Sequence, residues 1–417
     1  MIYKLVIKNT VLLFVFTMVS CGNCKKITEE NQKSVTLDSE KMNSTKLYIN
    51  QNSDEIKTGA DNYENYLPIL KDKKVGVVTN QTGILSNKTH LVDFLIENKI
   101  NIQKIYAPEH GFRGTADAGE HVVDGKDTKT GLPIISLYGN NKKPNSDQLK
   151  NIEIMVFDLQ DVGARFYTYI SSLHYVMEAC AENKIPLIVL DRPNPNGSIV
   201  DGPILEAEYK SFVGMHPIPV LHGMTIGEYA KMINGEKWLE KGVQCNLTVI
   251  PCLNYNRNMF YDLPVKPSPN LPDAQAINLY ASLCFFEGTN VSVGRGTENQ
   301  FQIYGSPFLK SFTYKFIPKP NLGAKDPVWN GKECFGEDLT KIEKVKQLEI
   351  KWLIKAYQNT EDKTTFFNNF FTKLAGTKNL QQQIISGKSE EEIRLSWQNG
   401  VKEFIKTRSK YLNSLYK

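Results

Sequence analysis

Short apolar runs alternate with helical patterns along much of this 417-residue chain, and this alternation restricts the possible folds more than any other feature. The apolar runs occupy residues 75–78, 102–106, 134–138, 154–157, 186–190 and 247–250. Helical patterns lie between them at residues 91–100, 171–183 and 226–234. Continuously apolar strands separated by helices are typical of a parallel sheet with both faces covered. The pattern therefore predicts a Rossmann-like α/β domain over residues 57–264.

A proline-dense segment, residues 264–272, follows the last of these runs and suits a domain junction. The patterns beyond it are a helix near 274–286, strands near 301–304, and amphipathic helices near 362–374 and 390–411. They predict a smaller α+β domain over residues 265–417. Two domains also agree with the length of the chain, at the usual ~100–200 residues each.

The N-terminus has the pattern of a secretory signal. Lys4 and Lys8 precede the apolar run 11–16, which is too short to span a bilayer, and the pattern ends at Cys21. This resembles a bacterial lipoprotein signal with Cys21 as the lipid acceptor. We expect a signal peptide over residues 1–20 and a flexible, polar tether over residues 21–56. The protein is then expected to be lipid-anchored in the envelope of a Gram-negative-type bacterium, facing the periplasm, without crossing the membrane.

The charge balance gives little information about partners. The formal net charge is +5, and loss of Lys4 and Lys8 with the signal leaves 5 − 2 = +3. Lysines and arginines are scattered and no nucleic-acid-binding motif occurs, so no nucleic-acid partner is expected.

The seven cysteines show one close pair, Cys21 and Cys24. This spacing also fits a redox or metal motif, but its position at the end of the apolar run favours lipidation. Cys245 and Cys252 are the nearest candidates for a disulfide, although their apolar surroundings favour buried free thiols.

Polar clusters begin where four of the predicted strands end. They occupy residues 79–83, 109–111, 158–165 and 191–197. In an open parallel sheet, ligands bind outside the carboxyl ends of the strands. Four such loops therefore predict a binding site at one edge of the sheet.

The second of these loops contains an acid, an imidazole and a guanidinium close together in the sequence. Residues 107–114 place Glu109, His110 and Arg113 among glycines and a proline, a composition that suits a bent, ligand-facing loop rather than a core. The predicted edge also holds amides, arginines and the aromatic residues 166, 167 and 169, a mixture typical of carbohydrate sites. Glycoside hydrolysis in most families needs two carboxyl groups, one of them protonated. Glu109 is the candidate acid.

Motifs for other chemistries are missing from the sequence. No GxSxG elbow occurs, residues 387–389 lack the first glycine of a P-loop, and residues 294–296 lack the third glycine of a dinucleotide fingerprint. No cofactor is therefore expected, although the sheet is Rossmann-like.

The long motifs resemble those of the NamZ family of exo-β-N-acetylmuramidases. They are residues 108–114, 118–120, 130–133, 158–169, 190–195, 286–290 and 294–297, in matching order. The resemblance implies a Rossmann-like domain followed by a smaller domain, with the active site in a cleft between them. It also implies removal of terminal N-acetylmuramic acid from the non-reducing end of peptidoglycan fragments, with Glu109 as the catalytic glutamate.

The candidate site residues follow from these loops and motifs. The candidate catalytic residues are Glu109, His110, Glu120 and Asp161. The candidate substrate-binding residues are Asn80, Arg113, Arg165, Tyr167, Arg192, Asn194, Glu287, Asn290, Arg295 and Glu298. Muramic acid carries a lactyl carboxylate, which the arginines among them could bind in a bidentate manner.

Several alternatives stay open at this point. Glu109 could form a structural ion pair with Arg113, and the second carboxylate could be Glu120, Glu287 or Glu298. Tyr167 and Tyr169 could start a buried helix instead of stacking on sugar, and His121 could lie at the rim. A metal site of His110, His121 and Asp158 has no known ligand spacing. A non-catalytic peptidoglycan- or sugar-binding lipoprotein is the alternative function.

Overall fold

The computed structural model describes residues 55–112 and 124–417. The predicted signal peptide, the predicted lipidation site Cys21, and Arg113, Glu120 and His121 lie outside the described residues. Ile56, the last residue of the predicted tether, packs against a small cluster that includes Tyr255 and Tyr416. Lys57 then pairs with Leu253, so the chain is part of the fold from this point.

A seven-stranded sheet forms the centre of the first part. Its strands are β1 Lys74–Thr79, β2 Asn101–Ala107, β3 Gly125–Lys126, β4 Pro133–Ser136, β5 Ile154–Asp158, β6 Leu187–Leu190 and β7 Leu247–Ile250. They lie in the order β3-β4-β2-β1-β5-β6-β7, and every pair is parallel except β3 with β4. The predicted α/β class is confirmed.

Helices cover both faces of this sheet. They are α1 Leu67–Leu70, α2 Leu91–Glu97, α3 Tyr169–Glu182 and α4 Ile226–Gly235. Val77 packs in one cluster with the residues of α1 and α2, whereas the next residue, Val78, packs in a second cluster with α3 and α4. Successive side chains of a strand point to opposite faces, so these clusters lie on the two sides of the sheet. Complete burial of such a valine side chain stabilises the folded state by about 1.5–3 kcal/mol.

The second part contains a helix, a small sheet and four more helices. They are α5 Ala274–Leu283, strands β8 Ile303–Ser306, β9 Tyr314–Phe316 and β10 Cys334–Asp338, then α6 Lys351–Asn359, α7 Phe371–Ala375, α8 Asn379–Ile385 and α9 Glu390–Arg408. The sheet is antiparallel in the order β8-β10-β9. Residues of α5, α6 and α9 belong to the same hydrophobic cluster as α3 and α4, so the two parts share one core.

The prediction of a helix over residues 362–374 is wrong for most of its length. Asp362 accepts hydrogen bonds from the backbone and hydroxyl of Thr364 and from the hydroxyl of Thr365. Phe367 forms a β-bridge with Thr289. Side chains of Asp and Thr that bond to nearby backbone compete with helix formation, and here the helix begins only at Phe371.

Two sequence expectations concern the cysteines and the membrane. The five described cysteines, at positions 180, 245, 252, 284 and 334, are all buried free thiols, so Cys245 and Cys252 are not joined. Within residues 55–112 and 124–417, no helix combines the length and the apolar character that a bilayer span requires.

His174 of α3 and His216, in the loop before α4, form a buried histidine pair. His174 Nδ1 is 2.9 Å from His216 Nε2, and His216 Nδ1 is 2.8 Å from the hydroxyl of Tyr229. Burial, with smaller contributions from two lysines, lowers the pKa of His174 to about 4 against the opposing effect of Glu178. Burial also holds the pKa of His216 well below its ordinary value. Both rings are therefore neutral at neutral pH.

Acidification should destabilise the fold through this pair. A histidine whose pKa is lower in the folded state contributes stability above its unfolded pKa and loses it as the pH falls towards the folded value. From pH 7 to pH 5, the free energy of unfolding should fall by about 2 kcal/mol less in His174→Gln than in the wild type. Denaturant melts at both pH values measure this difference. Equal falls in the two proteins would contradict the assignment.

Candidate active site

A cavity of about 480 Å³ lies at the carboxyl ends of the central strands. Glu109 follows β2, and Tyr167, Thr168 and Tyr169 follow β5; all four line the cavity. The second part of the chain contributes a longer set of lining residues, among them Leu271, Tyr280, Cys284, Phe286, Glu287, Val291, Arg295, Phe301, Asp326, Val328 and Phe370. The expected cleft between the two parts is therefore present.

The Glu109 loop is sharply bent, as its glycines and proline predict. The backbone N–H of Gly111 donates to the carbonyl of Pro108 at 3.0 Å. His110 and Gly111 have φ values of 73° and 75°. A positive φ is uncommon for a residue other than glycine and costs about 1–3 kcal/mol, so the surrounding structure must hold His110 in place. His110 is 5% exposed and lines the cavity beside Glu109.

The first turn of α3 holds Glu109. The hydroxyl of Thr168 donates to Glu109 Oε2 at 2.8 Å, and the hydroxyl of Tyr169 lies 3.5 Å from the Glu109 carbonyl oxygen. Glu109 is half-buried. The carboxyl group is thus held at the cavity wall by Thr168, which follows β5, and β1 lies between β5 and β2 in the sheet.

Asn80 fixes the position of the Tyr169 hydroxyl. Its Oδ1 accepts from the hydroxyl of Thr82 at 2.6 Å, so its Nδ2 is the donor to the Tyr169 hydroxyl, also at 2.6 Å. Asn80 is fully buried and does not line the cavity, so the structure does not support its predicted contact with substrate. Burial, with the nearby Glu109 carboxylate, raises the pKa of Tyr169 far above its ordinary value, which keeps its hydroxyl protonated.

Tyr167 and Tyr169 belong to the buried start of α3. They are 6% and 1% exposed, and their ring centroids lie 4.9 Å apart in an edge-to-face arrangement. The Tyr167 hydroxyl donates to the Pro267 carbonyl at 2.8 Å. Both residues are thus buried at the start of α3, and both also line the cavity.

Glu287 and Arg295 form an ion pair on the cavity wall. Arg295 Nε donates to Glu287 Oε1 at 2.7 Å, and the guanidinium lies 5.1 Å from the centre of the Phe301 ring. Burial opposes the charge of Arg295, but Glu287 raises its pKa above the ordinary value, so the cation persists. Its side chain is 22% exposed, and its Nη groups make no hydrogen bond within the described parts of the chain. Arg295 can therefore present an open edge to a carboxylate.

Two arginines predicted to bind substrate have structural roles instead. Arg165 is fully buried and donates from Nη1 to the carbonyls of Pro203 and Ile218, at 2.7 and 2.8 Å. Its Nη2 donates to the carbonyls of Leu374 and Ala375, at 2.9 and 2.7 Å. Burial lowers the pKa of Arg165 to about 9, which still leaves it charged at neutral pH. Neither nitrogen is available to a ligand.

Arg192 is likewise engaged within the protein. It forms a bidentate pair with Asp158, with Nε to Oδ1 at 2.6 Å and Nη2 to Oδ2 at 2.9 Å. Both side chains are buried, which excludes Arg192 from the cavity and removes Asp158 from any metal site with His110. Among the described residues, one group of carboxylates is close enough together to hold a metal ion, namely Glu178, Glu182 and Glu240. Lys143 Nζ already bonds to the first two.

Four further candidates do not line the cavity. Asp161 is buried and accepts from the backbone of Gly163 at 2.7 Å, and Asn194 Nδ2 donates to the Met224 carbonyl at 2.9 Å. Asn290 contacts Thr365, and Glu298 is exposed. None of the four lines the cavity, so the structure does not place them against a substrate bound there.

Many residues of the cavity wall were not identified from the sequence, and Thr168 and Asp326 are two polar examples. Thr168 lies inside a quoted motif, but nothing in the sequence indicates which carboxyl group its hydroxyl meets. Asp326 lies in a loop of the second part of the fold, outside any helix or strand, and lines the cavity. Only long-range packing brings these two residues to the same cavity as Glu109.

The comparisons with known proteins agree with the predicted resemblance. The family described as "Exo-beta-N-acetylmuramidase NamZ, N-terminal" matches residues 75–275, and "Exo-beta-N-acetylmuramidase NamZ, C-terminal" matches residues 278–416. The chain is 41% identical over 383 residues to the "Peptidoglycan beta-N-acetylmuramidase NamZ" of Bacillus subtilis (strain 168). This alignment covers 86% of this chain and 91% of that protein.

Solved structures show the same fold. A DUF1343 family protein from Bacteroides fragilis NCTC 9343 is 45% identical with a TM-score of 0.80, and the match covers 86% of this chain and 98% of that one. A second DUF1343 family protein from that organism is 29% identical with a TM-score of 0.72, covering 87% and 99% of the two chains. The chain belongs to the exo-β-N-acetylmuramidase NamZ family of glycoside hydrolases.

Proposed function

We propose that this protein removes terminal N-acetylmuramic acid from the non-reducing ends of peptidoglycan fragments, in the turnover and recycling of the cell wall. The observation that carries this proposal is a cavity that contains both an anchored carboxyl group, Glu109, and a cation, Arg295. Its volume of about 480 Å³ suits one sugar with its substituents, because pockets for small ligands typically have about 300–1,000 Å³. Aromatic side chains supply apolar walls for the sugar ring.

Glu109 is the proposed general acid. It gives its proton to the glycosidic oxygen while the bond from C1 to that oxygen breaks, and the bonding electron pair goes to the oxygen. Water adds to C1, and the proton that it loses returns Glu109 to its acid form, so each cleavage consumes one water molecule. Glu287 also lines the cavity, but its ion pair with Arg295 gives it an orienting role.

Arg295 is the proposed recognition group for the lactyl carboxylate of muramic acid. Glu287 holds its Nε side, which leaves the Nη edge to bond a second carboxylate. Among the four arginines with this predicted role, two are occupied inside the protein and Arg113 lies outside the described residues. The selectivity for muramic acid over N-acetylglucosamine, which lacks the lactyl group, follows from this charge.

Glu109→Gln tests the acid. Glutamine keeps the shape of the side chain but carries no acidic proton, so hydrolysis of an N-acetylmuramic acid–N-acetylglucosamine disaccharide should slow by about 10²–10⁴-fold. Product release is measured chromatographically, with exposed Glu391→Gln as the matched control. Undiminished turnover by Glu109→Gln would reject this assignment, and absence of turnover by the folded wild type would indicate a binding protein.

Arg295→Gln tests the recognition of the lactyl group. Loss of a charge-assisted bond should lower kcat/KM for an aryl β-N-acetylmuraminide by about 10- to 100-fold, with little effect on the corresponding N-acetylglucosaminide. The double variant Glu287→Gln, Arg295→Gln controls for the carboxylate left unpaired in the single variant. Equal losses on both substrates would mean that Arg295 maintains the cavity and does not read the lactyl group.

We also propose export and lipid anchoring through Cys21, with the enzyme facing the periplasm. The support is the sequence pattern of residues 1–21 alone, because these residues lie outside the described ranges. In cells grown with labelled palmitate, the wild type and the control Cys24→Ala should carry label and sediment with membranes, whereas Cys21→Ala should not. Label on Cys21→Ala equal to that of the wild type would refute the anchor.

A further inference from the structure

Thr168 has an unusual arrangement at the start of α3. It occupies the position before the first helical residue, where threonine side chains commonly accept a hydrogen bond from a backbone N–H of the first turn. Thr168 makes no such bond, and its backbone lies in the helical region, at φ −72° and ψ −5°. Its hydroxyl donates instead to Glu109 Oε2 at 2.8 Å. The usual helix-capping role therefore does not explain this side chain.

Another threonine in the chain provides a direct comparison. Thr225 precedes α4, accepts a hydrogen bond from the backbone of Glu228, and donates to the buried carboxyl group of Asp191 at 2.7 Å. Thr225 thus caps its helix and binds a carboxyl group, whereas Thr168 binds only the carboxyl group. Thr168 lines the cavity and Thr225 does not.

We propose that Thr168 is a positioning residue for the general acid. Its hydroxyl bonds Oε2 of Glu109, so the transferable proton is carried on Oε1. As the proton moves from Oε1 to the glycosidic oxygen and the bond from C1 to that oxygen breaks, Glu109 becomes a carboxylate. The hydrogen bond from Thr168 then becomes charge-assisted and stronger, which stabilises the transition state more than the bound substrate. This inference rests on the proposed role of Glu109.

The leaving group provides a readout that a purely structural role would not affect. N-acetylglucosamine is a poor leaving group whose oxygen must be protonated, whereas nitrophenolate departs as an anion with little help from an acid. Weaker acid catalysis should therefore slow cleavage of the disaccharide selectively. A distorted cavity would slow the cleavage of both substrates.

The experiment compares Thr168→Val, Thr168→Ser and Thr225→Val in the full chain. Thr168→Val should lower kcat on the disaccharide by about 10- to 100-fold with KM little changed. On the nitrophenyl muraminide it should lower kcat by less than about threefold, because that reaction depends little on the acid. Thr168→Ser keeps the hydroxyl and should restore most of the disaccharide activity. Thr225→Val should lower the melting temperature without changing the ratio of the two activities.

Each result bears on the proposal. Equal losses of Thr168→Val on both substrates, or wild-type activity on the disaccharide, would overturn it. If the melting temperature of Thr168→Val is much lower than that of the wild type, Thr168→Ala, which also lacks the hydroxyl, must show the same dependence on the leaving group. Glu109→Gln separates the two assignments: if it is impaired on the disaccharide and Thr168→Val is not, only the role of Thr168 fails. Undiminished disaccharide cleavage by Glu109→Gln would reject the acid itself.

Discussion

The buried guanidinium of Arg165 connects the two parts of the fold that form the cavity. Two of its four hydrogen bonds reach the carbonyls of Pro203 and Ile218, in the segment between β6 and α4, and the other two reach the last carbonyls of α7. A buried charge is tolerated only when polar partners surround it, and here main-chain oxygens provide them. Cations also favour the C-terminal ends of helices. The loop after β5, which leads to Thr168 and Tyr169, is thereby fixed against the second part.

The topology of the sheet explains why Glu109 meets α3. β2, β1, β5 and β6 are parallel neighbours, so the loops that follow them emerge at one edge. Glu109 comes from the loop after β2, and its hydrogen-bonding partner comes from the loop after β5. β1 lies between them and contributes Asn80, which fixes Tyr169. Three adjacent loops therefore determine the position of Glu109.

The sequence predicted the sheet, both parts of the chain and the Glu109 loop because these depend on local patterns. Apolar runs define strands, and parallel strands bring their carboxyl ends together. The sequence could not show which polar residues face the cavity. The loops that hold Arg165, Arg192 and Asn194 resemble the Glu109 loop in composition, yet partners distant in the sequence hold these side chains inside the protein. Asp161 is buried as well and accepts a hydrogen bond from the backbone of Gly163. The prediction of a helix at residues 362–374 was wrong for most of its length, because the Asp362 side chain accepts hydrogen bonds from the hydroxyls of Thr364 and Thr365.

The left-handed backbone at His110 has a consequence for the evolution of the site. Only glycine adopts this conformation without strain, while asparagine, aspartate and histidine tolerate it better than other residues. A β-branched residue at position 110 would strain the loop and displace its neighbour Glu109. The identity of the residue next to the acid is thus restricted by main-chain geometry, whatever its imidazole contributes to chemistry. Natural variation at position 110 should be narrow for that reason.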